Sequence, residues 1–144
     1  MLNVKEFEHK MLQSLLAAGN LKEVINDERW QKYINTKLIT LGIDAATQRN
    51  LAKKGFPELH EINLNEQLLF LSELFKQSQV FEIKNQCLIF LDQRKKKILK
   101  AAHWPILKDW VKYVDNWAHS DGLSSVFCLM LQNELDLIYP QLTK

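Results

Sequence analysis

Four glycines and three prolines are the only strong chain-breakers in 144 residues, so the segments between turns must be long. Strand-rich folds need many tight turns, and those turns draw heavily on Gly and Pro for their dihedral angles. A chain this poor in breakers favours helices. The apolar spacing agrees at the first segment: Phe7, Met11, Leu15 and Ala18 recur on one helical face, and Gly19 follows where a left-handed residue would end the helix.

The same periodicity predicts about seven or eight helices. A second helix is expected over 21–34, with Val24, Ile25, Tyr33 and Ile34 apolar. Residues 38–41 form a short apolar run with strand character but no strand nearby to pair with. Asp44 can cap a helix through Lys53, closed by Gly55 and Pro57. Asn63 and Glu66 form a capping box for a helix over 64–77, whose stripe is Leu64, Leu68, Leu71 and Phe75. The pattern repeats from Val80 to about Lys97 through Ile83, Cys87 and Phe90. Pro105 suits the first position of a helix towards Val114. Asn116 can cap another from Trp117 to about Gln132, with a short last segment around 136–139. Such helices with short loops predict an all-α chain of one domain, 1–144. We expect a HEAT-like helical-repeat solenoid, with a compact helical bundle as the alternative.

Composition narrows the class. Hydrophobic residues at 47% and charged residues at 25% exclude disorder. A net charge of +2 is too small to imply a nucleic-acid partner by itself, so any basic footprint must come from clustering. The cluster present is Arg94, Lys95, Lys96, Lys97 and Lys100, five cations within seven residues. It suits DNA phosphates, or else a solvated helix end where cations oppose the dipole. Lys108 and Lys112 share a face of the next helix and could extend it. Cys87 and Cys128 have neither metal-ligand spacing nor a disulfide framework, so a reduced, cytoplasmic protein without a metal is expected. No apolar run approaches the roughly 18 residues of a membrane span, and the N-terminus is not a signal peptide.

Chemistry concentrates in 104–123. Trp117 and Asp121 are four apart and share a helical face. With Asn116 as cap, Asp121 also lies near the positive helix end, which favours its carboxylate form. An aromatic face beside a carboxylate suits a cationic ligand. The plainer reading makes Trp117 a core residue and Asp121 a helix-start residue. Trp104 and Trp110 are read as core or inter-helix packing. His9, His60, His103 and His119 are scattered, with His119 expected as an exposed helix residue.

From about Gly42 to Gln132 the chain resembles the AlkD-like DNA alkylation repair glycosylases. The shared features are Gly42-Ile43-Asp44 with Arg49 and Lys53, then Phe81-Glu82-Ile83-Lys84, and above all Asp115-Asn116-Trp117-Ala118-His119-Ser120-Asp121. The resemblance implies that Trp117 contacts the lesion nucleotide and that Asp121 is the catalytic carboxylate. It implies double-stranded DNA with alkylated bases as substrate, excision of cationic N3- or N7-alkylated purines, and no cofactor. Family members run longer, so 1–144 is expected to be the N-terminal part of a longer family domain. Ala118 stands where some members carry a second aromatic residue. The competing function is a non-catalytic HEAT-like scaffold that binds protein or undamaged DNA. The two part on whether Trp117 and Asp121 are exposed together in a groove or buried apart.

The basic cluster yields the first test. Duplex affinity should fall steeply with salt, and neutralising three of the residues Arg94, Lys95, Lys96, Lys97 and Lys100 should flatten the slope by about three units at most. An unchanged slope in a salt titration returns the cluster to the solvated helix end.

Overall fold

The computed structural model of the chain describes residues 3–93 and 101–142. Eight α-helices lie among the described residues: α1 (Val4–Ala18), α2 (Glu28–Ile34), α3 (Ala45–Lys54), α4 (Pro57–His60), α5 (Leu64–Gln77), α6 (Phe81–Asp92), α7 (Trp104–Lys108) and α8 (Trp117–Leu142). Two 3-10 stretches, Ala101–His103 and Asp109–Tyr113, flank α7. The only extended pairing among them is one parallel bridge, Ile39 to Val80. The fold is all-helical, and no described helix is long and apolar enough to cross a membrane.

Local chemistry starts these helices. Asn3, Asp27, Asp44 and Asn63 each accept the backbone N–H three residues on, at 2.7–3.1 Å, satisfying a donor that the first turn leaves open. At Asn63 the box closes through side chains, because the Asn63 amide donates to Glu66 at 2.8 Å. Helix α6 is the hub: it packs against α3, α5 and α8, while α1 covers α3 and α5. Its burial is nearly all-round, including Glu82, Lys84 and Gln86 as well as Phe81, Ile83, Leu88 and Leu91. The succession of α1, then α3 with α5, then α6, then α8 is consistent with a helical-repeat solenoid.

Several boundaries differ from the sequence reading. The second helix begins at Glu28, and Val24 and Ile25 are exposed. Segment 26–27 is instead held extended by Thr40: Asp27 N–H donates to Thr40 O at 2.6 Å and Thr40 N–H to Asn26 Oδ1 at 2.9 Å. The left-handed residue after α1 is Asn20 (φ 56°), whereas Gly19 lies at φ −89°. Gly19 gives room instead, since a Cβ there would stand 2.9 Å from Ile43 Cγ1. Pro105 occupies the second turn position of α7, after Trp104, and the helix tightens to 3-10 at Asp109. Helix α8 passes the expected stop at Gln132 and takes in the supposed last segment. Arg94, Lys95, Lys96, Lys97 and Lys100 lie outside the described residues, as does the end of the expected 80–97 helix.

Gly42 is required where it stands. Its φ is +78°, and a Cβ would meet Asp27 Oδ2 at 2.5 Å. Gly42→Ala should therefore destabilise the fold by about 2 kcal/mol, strain and displacement together, as measured by denaturant unfolding.

Candidate functional site

A cleft of about 470 Å³ opens where α2, the loop before α3, α6 and α8 converge. Asp27 and Trp30 line it from the start of α2, and Gly42, Ile43 and Asp44 from the loop. Gln48, Phe81 and Asn85 come from α3 and α6, while Trp117, Ala118 and Asp121 come from α8. Trp117 and Asp121 are thus exposed together on one groove, rather than buried apart. Trp104 and Trp110 are in the core, the latter donating to Ser72 Oγ at 2.8 Å and stacked on Phe75 at 4.5 Å.

The first turn of α8 explains this placement. Asn116 Oδ1 accepts the His119 N–H at 2.8 Å, so Asn116 caps the helix as its sequence position predicts. His119, Leu123, Val126 and Met130 then fall on the inward stripe, all buried. Trp117 and Asp121 fall on the opposite side. Trp117 is held where it is: its indole N–H donates to Tyr33 O at 3.1 Å and its ring meets Tyr33 edge-on at 5.5 Å. Tyr33 in turn stacks on Trp30 at 5.2 Å.

His119 corrects the sequence expectation, because it is fully buried rather than exposed. Its ring stacks on Phe81 at 4.3 Å, Nε2 lies 3.1 Å from Phe81 O, and Nδ1 lies 3.0 Å from Asn116 Nδ2. A carbonyl demands a proton on Nε2 and an amide nitrogen demands a lone pair on Nδ1, so the neutral Nε2–H tautomer fits. Burial lowers its pKa to about 4, against a smaller opposing effect of the Phe81 carbonyl. The signal was present in the spacing: His119 is four residues before Leu123 and seven before Val126.

Electrostatically the cleft is acidic. Asp27, Asp44 and Asp121 line it with no Lys, Arg or His, and no ion pair among the described residues involves them. The backbone and then the hydroxyl of Thr47 lower the pKa of Asp44, holding it ionised. Glu82 lies behind the loop wall, 0% exposed. Its carboxylate accepts N–H groups from Leu41 at 2.9 Å, Gly42 at 3.0 Å and Ile43 at 3.4 Å. Burial raises its pKa in spite of those donors. The sequence marked Glu82 only as part of a short motif, since its partners are some forty residues distant.

Two further side chains brace the walls. Asp115 accepts Thr36 Oγ1 at 2.6 Å and Lys37 N–H at 2.8 Å, tying the end of α2 to the start of α8. Burial works to raise its pKa, and the hydrogen bonds outweigh it to leave the value lowered. Lys84 is buried, donates to Tyr113 O and sits 4.6 Å over the Phe75 ring. Burial pulls its pKa down, with Asp115 opposing. Lys108 and Lys112 line a separate shallow groove with Pro105, Asp109 and Val111, and Lys112 pairs with Asp109 at 3.2 Å. Among the described residues no three His, Cys, Asp or Glu side chains gather as a metal site.

Residues 12–140 match the profile of a protein family described as DNA alkylation repair enzyme. Neither a curated protein nor a solved structure matches the chain.

The buried imidazole makes stability pH-dependent. An unfolded His119 takes its proton near 6.5, the folded one only near 4. Between those values the unfolded state binds more protons, so stability present above pH 6.5 is lost as pH falls towards 4. The loss attributable to His119 is on the order of 3 kcal/mol. Denaturant unfolding at pH 7 and pH 4.5 should show it, and His119→Gln should remove most of the difference whatever its own baseline.

Proposed function

Because this chain belongs to the DNA alkylation repair enzyme family, we propose that it is a DNA N-glycosylase that excises purines made cationic by alkylation at N3 or N7. The observation that carries the reading is the joint exposure of Trp117 and Asp121 on one acidic, aromatic cleft. The substrate in this proposal is double-stranded DNA, bound on a HEAT-like helical array, with 1–144 as the N-terminal part of a longer domain. Arg94, Lys95, Lys96, Lys97 and Lys100 serve the phosphates. A cytoplasmic setting belongs to the proposal and suits Cys87 and Cys128, both free thiols.

The chemistry needs little besides a fixed negative charge. The C1′–N bond breaks, its electron pair leaves with the purine, and the base departs neutral. Positive charge builds on the sugar, water oxygen bonds to C1′, and a water proton passes to the carboxylate or to solvent. The product is an abasic site. Asp121 stabilises the sugar cation and orients the water. A carboxylate about 4 Å from that charge contributes roughly 4 kcal/mol at the effective dielectric of a protein surface, or about a thousandfold in rate. Trp117 contributes its ring face to the cationic nucleotide, worth on the order of 1–2 kcal/mol.

Asp121→Asn keeps shape and hydrogen bonding and loses only charge. In a protein carrying the complete family domain it should reduce release of N-methylated purines on the order of 100-fold or more, with fold and duplex affinity intact. Trp117→Ala should weaken lesion binding as well as rate. Base release, duplex binding and circular dichroism on the same samples check this. If Asp121→Asn unfolds the protein while activity per folded molecule holds, Asp121 is a helix-start residue and the scaffold reading takes over.

A further inference from the structure

Helix α8 does not supply the only aromatic and carboxylate pair in the cleft. At the start of α2, Asp27 accepts the Trp30 N–H at 3.1 Å, so the two side chains leave the same helical turn. Both line the cleft that Trp117 and Asp121 line. The two indoles are spaced by one ring: Tyr33 stacks on Trp30 with an interplanar angle of 24° and meets Trp117 edge-on at 78°. The Trp117 indole N–H bonds to Tyr33 O, which ties that spacing to the backbone of α2. Trp30 is 37% exposed and Trp117 46%, so each keeps ring surface in solvent although both are held in place.

Asp27 has spare capacity. Its Oδ1 serves as cap, and no hydrogen bond or ion pair among the described residues engages Oδ2. Asp44 adds a third carboxylate to the lining, and no cationic side chain answers any of them there. A concave site with two indoles, three carboxylates and no cation attracts positive charge and repels phosphate.

We propose that Trp30 and Asp27 form a second wall of this cleft, which with Trp117 and Asp121 makes a two-sided clamp for a planar organic cation. The inference rests on the reading of the cleft as a site for cationic bases and assigns residues of α2 to it. The clamp binds the cation by itself, without the DNA backbone. Cation–π attraction favours a charged ring over a neutral one of the same shape, and each of the four wall residues contributes about fivefold in affinity.

The test uses 1-methylnicotinamide, a planar cation of fixed charge, and nicotinamide as its neutral counterpart. The chain has four tryptophans, so its indole N–H resonances form a small set. The Trp30 and Trp117 resonances should shift saturably with the cation, the buried Trp104 and Trp110 resonances should not, and nicotinamide should bind several-fold more weakly. Trp30→Ala and Asp27→Asn should each weaken the cation about fivefold, as should Trp117→Ala and Asp121→Asn. Asn is as good a cap as Asp, so Asp27→Asn keeps α2 started. Trp30→Phe should recover part of the loss if Trp30→Ala misfolds. Equal affinity for the two probes overturns the clamp, as does wild-type affinity in both Trp30→Ala and Asp27→Asn. Release of methylated purines from duplex, assayed in parallel with a protein carrying the complete family domain, separates the layers. Release with neither indole responding overturns the clamp alone, and indole response without release overturns the glycosylase reading alone.

Discussion

Three backbone N–H groups, from Leu41, Gly42 and Ile43, end on the carboxylate of Glu82, and the shape of the cleft depends on that convergence. A buried carboxylate with no cation beside it is costly unless donors surround it. Here the donors come from a loop that would otherwise leave its own N–H groups without partners. Each side answers the other's need. Glu82 also sits in the first turn of α6, where the helix dipole favours an anion. Its neighbours on that turn reach in other directions: Phe81 O to His119, Lys84 to Tyr113 O, and Asn85 to Gln48 at 2.7 Å. One helical turn therefore joins the loop wall, α3, the 3-10 stretch and α8.

What the sequence revealed divides along the range of the interactions. Caps are local, so Asp44, Asn63 and Asn116 mark helix starts that the structure keeps. The pairing of Trp117 with Asp121 is also local, four residues on one helix, and both reach the cleft. The start of α2 was hidden because Val24 and Ile25 mimic a helical stripe. Thr40, at a separation of fourteen from Asn26, decides the matter by pinning the backbone extended. Trp30, Asp27 and Glu82 share the same difficulty. Each is unremarkable in its own segment and acquires a role only when α2, the 41–43 loop and α6 come together. His119 was misread for a different reason: a polar residue was assigned to the surface although its spacing from Leu123 and Val126 put it inward.

Charge is segregated in this molecule rather than balanced. The chain carries a net charge of only +2, yet Asp27, Asp44 and Asp121 share one cleft that no cationic side chain lines. Such a concavity repels a phosphate and attracts a cation. For a protein of a DNA repair family this separates two tasks by sign. On the proposed glycosylase reading, the duplex backbone is held by basic surface elsewhere and the cleft is left to sense positive charge on a damaged base. Undamaged bases are neutral and would gain little there, so on that reading discrimination arises from the field as well as from contact.

That field depends on what is kept out of it. An imidazolium on the cleft face of α8 would offset the carboxylates there. The inward stripe of α8 prevents this by placing the His119 ring against Phe81, where burial, with a smaller contribution from the Lys84 charge, holds it neutral down to about pH 4. Lys84, the other cation near the first turn of α8, is aimed away at Tyr113 O and the Phe75 ring, and it is absent from the cleft lining. The helix thus presents its carboxylate and indole on one side and shelters its titratable base on the other. The same 3.6-residue period that packs Leu123, Val126 and Met130 into the core keeps the imidazole out of the cleft.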